Sequence, residues 1–145
     1  MPYCTIDDLT ADSLTEEELV QLTDDEGLGQ VNEDRADQAA GAAADWIDGY
    51  LRGRYTLPLN PVPGMIRDIA VQETIYRLYR RRRKENMPES LVADRRDRIR
   101  LLEGIQKGSV TLDAAAPSGE SGKGGYRTNK TAENRAFTDD ELGKW

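Results

Sequence analysis

Apolar residues recur at intervals of three and four along most of the first 108 positions, and no long alternating run of β-branched residues interrupts them. That pattern predicts helices almost throughout. Thr5 is placed to cap a short first helix, and Thr15-Glu16-Glu17-Glu18 has the spacing of a capping box, with three acids in the first turn where the helix dipole favours them. Leu19, Val20 and Leu22 form the expected buried side of that second helix. The stretch Thr23 to Gln30, with Gly27 and Gly29, breaks the periodicity. A third helix is expected from a cap at Asn32, with Ala36, Ala40, Ala43, Ile47, Tyr50 and Leu51 as its apolar stripe. So many alanines predict a close helix crossing. Pro58, Pro61 and Pro63 cannot continue a helix and mark an elbow. A fourth helix is expected from about Pro63 to Arg82, roughly 30 Å long, with Ile66, Ile69, Ala70, Ile75, Tyr76 and Tyr79 on its core side. Asn86-Met87-Pro88 ends it, and Pro88 suits the first turn of a fifth helix. On that helix Leu91, Val92, Ile99, Leu102 and Ile105 share one face, Arg95, Arg96, Arg98 and Arg100 fall mostly elsewhere, and Gly108 is the stop.

The expected fold is therefore all-α, a compact bundle of about five helices over residues 1–112 with an extended C-terminal tail over 113–145. From Asp113 onward, alanine, serine, proline and glycine replace the periodic apolar residues, a composition that cannot bury enough surface to pack on its own. The last ten residues differ again. They hold the single phenylalanine, Phe137, then a second capping-box pattern, Leu142 and a terminal Trp145, which reads as a short docking element on a tether.

Composition narrows the chemistry. The 145 residues carry 20 Lys plus Arg against 27 Asp plus Glu, a net charge of −7, with 37% hydrophobic residues, enough for one modest core. There is no histidine, and the single cysteine, Cys4, can form no internal disulfide. Most familiar catalytic constellations are thereby excluded. No apolar run approaches the ~20 residues that a bilayer crossing needs, and the N-terminus lacks a basic stretch followed by an apolar one, so the expectation is a soluble, non-secreted protein. The charge is unevenly placed: residues 1–48 sum to −13, residues 49–76 to +1, residues 77–107 to +6 and the remainder to −1. Such a separation suits head-to-tail association, in which the acidic first helices of one copy meet the basic fourth and fifth helices of a neighbour.

Individual motifs add little enzymatic content. The acidic turn Asp24-Asp25-Glu26-Gly27 fails the ligand spacing of a calcium loop and reads as a surface turn. Gly119 to Gly124 contains a lysine among glycines, but no strand precedes it and no Ser or Thr follows Lys123, so a phosphate cradle is not supported. The run Arg80-Arg81-Arg82-Arg83-Lys84, with Arg77 before it, is the strongest charge signal. Three readings stay open for it: a protein partner's acidic face, a helix end favoured by the dipole, or nucleic acid. The tyrosines at 50, 55, 76 and 79 read as core or interface aromatics before a base-stacking platform.

Several segments carry a family resemblance through their order. They are Tyr3-Cys4-Thr5-Ile6-Asp7-Asp8-Leu9, Glu18-Leu19-Val20-Gln21-Leu22-Thr23-Asp24, and above all Ile47-Asp48-Gly49-Tyr50-Leu51-Arg52-Gly53-Arg54-Tyr55-Thr56-Leu57-Pro58-Leu59. Asp68-Ile69-Ala70, Tyr76-Arg77-Leu78-Tyr79 and Leu102-Glu103-Gly104-Ile105-Gln106-Lys107-Gly108 follow. Over most of the first 112 residues the chain resembles the small helical head-tail connector proteins of tailed bacteriophages, the Mu-like group in particular, also called head-completion or adaptor proteins. The resemblance implies a structural virion protein of the neck, made in the bacterial host cytoplasm. It also implies a ring of twelve copies beneath the portal protein, touching tail or neck proteins and continuing the DNA channel without sequence-specific binding. No membrane, cofactor or catalysis belongs to that role. The subunit or portal interface is then expected at Arg77, Arg80, Arg81, Arg82 and Arg83 together with Tyr50, Arg54 and Tyr55, and tail docking at Phe137, Leu142 and Trp145. The competing expectation is a small DNA-binding regulator that uses the basic helices.

Overall fold

A computed structural model of the chain describes residues 2–82 and 87–115. Its elements are five helices, α1 Ile6–Asp12, α2 Glu16–Thr23, α3 Glu33–Leu51, α4 Gly64–Arg81 and α5 Glu89–Lys107, and among the described residues there is no strand, only an isolated bridge between Arg52 and Tyr55. The two short helices start where the sequence marks them. Thr5 and Thr15 each accept a hydrogen bond from the third helical amide, and Asp8 and Glu18 reach back to the cap amides at 2.8 and 2.9 Å. Each such cap contributes about 1 kcal/mol, which matters for helices of seven and eight residues.

α3 and α4 form the central pair. Ala36, Ala40, Ala43 and Ala44 are buried on one face of α3 together with Ile47 and Leu51, small side chains that permit a close crossing, and α4 is the helix that α3 contacts most extensively. α5 lies on both members of this pair, and α1 and α2 also touch both. The shared core runs from Leu9, Leu19 and Leu22 through Ile66, Ile69 and Leu78 to Leu102 and Ile105.

The α5 face differs from the expectation. The residues that face the core follow the spacing Leu91, Arg95, Arg98, Leu102, Ile105, so two arginines occupy positions of the inward stripe and Arg98 is buried. Val92, one residue and about 100° round from Leu91, is instead 38% exposed.

Between α3 and α4 the elbow holds two cis peptide bonds, Leu57–Pro58 and Asn60–Pro61, and tucks Leu59 into the core. Tyr3 ties this elbow to α3: its hydroxyl donates to Asp48 Oδ1 and accepts from the Leu59 amide at 3.3 Å. Burial, reinforced by the Asp48 hydrogen bond, pushes the Tyr3 phenol up to about 12. After α5, Gly108 adopts φ +83° as a left-handed cap, and the Ser109 and Val110 amides close on the Gly104 carbonyl. The chain then returns to the elbow. The Leu112 amide donates to the Tyr55 hydroxyl at 2.8 Å, Ala114 packs on the core and the Thr56 amide donates to the Ala115 carbonyl at 2.9 Å. The segment as far as Ala115 is thus held on the helical unit, by backbone bonds from the elbow and by Leu112 and Ala114 packed against the core.

Candidate assembly surface

The acidic turn and the basic helix end are built into each other. The Asp24 carboxylate accepts from the Leu28 and Gly29 amides at 3.0 and 2.7 Å, and glycines at φ +73° and +71° turn the backbone on either side of Leu28. Arg35, from the first turn of α3, grips Glu26 in a two-pronged contact at 2.8 and 2.7 Å and donates to the Thr23 carbonyl. From the end of α4, Arg81 takes both oxygens of Asp25 at 2.5 and 3.0 Å and the Leu22 carbonyl at 2.7 Å, while Arg82 donates to the Asp24 carbonyl and stands 3.2 Å from Asp25 Oδ1.

These bonds hold the three carboxyls below their usual range. Backbone amides lower Asp24, the Arg81 hydrogen bond lowers Asp25 and the Arg35 hydrogen bond lowers Glu26. Arg81 and Arg82, expected at a subunit or portal interface, make these contacts with the α2–α3 loop of their own chain. The loop carboxylates face guanidinium groups, and among the described residues no group of acids is gathered to hold a metal ion. Arg80 is exposed, and Arg83 lies outside the described residues.

A second charged cluster sits deeper. Glu73 is fully buried on α4, at the position three and four residues after the core residues Ala70 and Ile69. Arg95 donates to it from α5 through Nε at 3.0 Å and Nη2 at 3.3 Å, and Arg77 Nε stands 3.2 Å away without the alignment of a hydrogen bond. The Arg95 guanidinium also lies 4.5 Å from the Tyr76 ring centre and 5.1 Å from that of Trp46. Burial works against its charge, but the Glu73 hydrogen bond and charge outweigh that and raise its pKa. Arg98 is placed differently. It is 8% exposed, its Nε and Nη2 have no hydrogen-bond partner, and burial lowers its pKa. One carboxylate therefore serves three guanidinium groups in the groove between α4 and α5.

The elbow residues singled out in the sequence also work within the chain. Tyr50 meets Trp46 edge to face at 5.4 Å, Arg54 donates from Nε to the Gln106 carbonyl at 2.6 Å, and Tyr55 receives the Leu112 amide. Arg54 and Tyr55 thereby fasten the end of α5 and the return segment to the chain just after α3, while the Tyr50 contact stays within α3. Phe137, Leu142 and Trp145 lie outside the described residues. Glu73, Arg95, Arg98, Trp46 and Asp24 were missed by sequence reasoning. A signal existed for the first: a glutamate in phase with Ile66, Ile69 and Ala70, four residues before Arg77.

Arg35, Arg77, Arg81, Arg82 and Arg95 are engaged within the chain, and the exposed charge that remains is acidic on α2 and α3 and mixed on α5. Glu16, Glu17, Glu33, Asp34 and Asp37 are exposed on α2 and α3, whereas α5 exposes Arg96, Arg100 and Lys107 together with Glu89, Asp94 and Asp97. No described helix is long and apolar enough to cross a membrane.

Comparison with known proteins gives this arrangement its context. The chain is 35% identical over 128 residues to gene product J of Escherichia phage Mu, covering 83% of this chain and 86% of that protein. It is 32% identical over 82 residues to the Mu-like prophage FluMu protein gp36 of Haemophilus influenzae, covering 57% of this chain and 55% of that protein. A family model described as Bacteriophage Mu, Gp36 matches residues 3–129, which takes in every described helix, the arginine clamp on the α2–α3 loop and the buried Glu73 cluster. The chain is a phage protein and belongs to the bacteriophage Mu Gp36 family.

Proposed function

We infer that this family member is a head-tail connector, a structural protein of the virion neck whose copies form a twelve-membered ring beneath the portal protein, join capsid to tail proteins and continue the channel through which DNA passes. What supports the reading is the match to the bacteriophage Mu Gp36 family over residues 3–129, together with an acidic exposed surface on α2 and α3 beside a mixed one on α5, where Arg96, Arg100 and Lys107 stand among Glu89, Asp94 and Asp97. A closed ring needs two different faces on each subunit, and these two surfaces differ. The work is assembly, with no catalytic step and no cofactor. Sequence-specific DNA binding fits less well, because four of the arginines that suggested it are turned to carboxylates and carbonyls of their own chain. The test is the mass of the purified protein by light scattering, alone and mixed with a portal ring. A 16.2 kDa monomer that joins the portal at high stoichiometry is the expected result. A stable dimer that ignores the portal and shifts duplex DNA in a steeply salt-dependent way overturns it.

A further inference from the structure

The bonds of the α2–α3 loop converge on a residue they do not explain. Asp24 holds the amides of Leu28 and Gly29, Arg35 and Arg81 hold the two acids before them, and positive-φ glycines flank Leu28 on both sides. The Leu28 side chain is nevertheless 73% exposed. A leucine on an unconstrained surface turn needs no explanation. A leucine fixed at the tip of a loop that three arginines and an aspartate hold in one shape is already ordered, so burying it against a partner costs little further conformational entropy. Five and six residues later, Glu33 and Asp34 open α3, exposed and in no ion pair among the described residues.

The complementary chemistry lies on α5. Met87, Val92 and Ala93, with Glu89 and Arg96, line a recess of about 420 Å³, ample for a leucine side chain. Val92 is the apolar residue there that is displaced from the inward stripe, and Arg96 is exposed with no ion pair among the described residues. We propose that Leu28 of one copy docks into the α5 recess of a second copy, with Glu33 and Asp34 of the first facing Arg96 of the second. Knob and recess are different surfaces of one subunit, so the contact is heterologous and repeats from copy to copy. The proposal rests on the ring reading above and names the residues that make its contact.

Mixing two single variants, Leu28→Cys and Val92→Cys, tests it, one of them carrying a mass tag, under mild oxidation with and without a portal ring. Any disulfide between tagged and untagged chains is then intermolecular. Cys4 is 3% exposed, and the unmodified chain serves as the control for it. The expected result is a mixed disulfide in the assembled fraction in clear excess over either same-variant disulfide. Leu28→Asp is expected to weaken association by at least about tenfold while leaving the thermal unfolding of the monomer unchanged, since the side chain is mostly in solvent. Rings that assemble without the mixed disulfide, or that tolerate Leu28→Asp, overturn the docking contact and leave the ring reading standing. No assembly of the unmodified chain under either condition overturns both.

Discussion

Replacing Glu73 by glutamine keeps the shape of the side chain and removes the carboxylate shared by Arg77 and Arg95. Glutamine retains one acceptor oxygen but turns an N–H₂ group toward a guanidinium, so at least one of the two Arg95 hydrogen bonds at 3.0 and 3.3 Å is lost. A hydrogen bond to a charged group contributes about 1.5–3 kcal/mol, and removing one partner of a buried ion pair costs about 3–5 kcal/mol. Glu73 is fully buried, but the Arg95 and Arg77 side chains are 23% and 28% exposed and can turn toward water, which relieves part of that cost. The lower end applies, about 3 kcal/mol. For a folded unit of this size that corresponds to a fall of about 10 °C in Tm. Circular dichroism at 222 nm during heating measures it, with urea unfolding as a second route to the free energy. Glu17→Gln, at an exposed position with no hydrogen bond or ion pair from its side chain among the described residues, is the control and is expected to change stability by less than about 0.5 kcal/mol. A Glu73→Gln protein that melts within about 2 °C of the unmodified chain refutes the reasoning, because the Glu73 charge would then contribute little to holding the cluster.

Three further outcomes follow from the geometry. Arg81→Glu loses the grip on Asp25 and the Leu22 carbonyl and should destabilise by about 1–2 kcal/mol in denaturant titration, whereas Arg80→Glu, one residue earlier and exposed, should stay within about 0.5 kcal/mol. Tyr3 is the alkaline reporter. Its phenol rises from 10.0 unfolded to about 12 folded, so its contribution is complete below pH 10 and is lost as pH climbs toward 12. Unfolding free energy should decline by about 1.4 kcal/mol per pH unit across that window, and Tyr3→Phe should remove this slope. At Gly108 an added methyl meets the Arg54 guanidinium at 2.5 Å and forces a side chain onto φ +83°, so Gly108→Ala should cost about 1–2 kcal/mol in thermal unfolding. Combining it with Arg54→Ala should relieve only the steric share.

What the sequence disclosed was local. The Thr5 cap, the Thr15 capping box, the Asn32 cap, the run of buried alanines, the proline elbow and the Gly108 stop depend on residues within a turn or two of one another, and each stands where the pattern put it. What it withheld depends on partners distant in the chain. Arg98 carries the same charge as Arg96 and Arg100, and only the packing of α5 on α3 and α4 makes one buried and the others exposed. The basic run at the end of α4 looked like a surface for others because nothing in its neighbourhood reveals that Asp25 lies fifty-six residues earlier in the chain and next to it in space. The return to Ala115 was hidden for a related reason, since its bonds are made by backbone amides and a tyrosine hydroxyl of the elbow.

The alanine seam between α3 and α4 reaches further than its own packing. α4 carries Glu73 near its middle and Arg81 at its end, so the depth at which α4 sits against Ala36, Ala40, Ala43 and Ala44 sets the reach of both charged clusters at once. Close-packed interiors transmit displacement instead of absorbing it. The seam works as a gauge block: four methyl groups fix one spacing, and two sites about two turns apart on one rigid bar are calibrated by it. A thicker residue at Ala40 would be felt in the α2–α3 loop and in the grip on α5 together, so drift in this seam is coupled to the shape of both faces that the subunit presents to its neighbours.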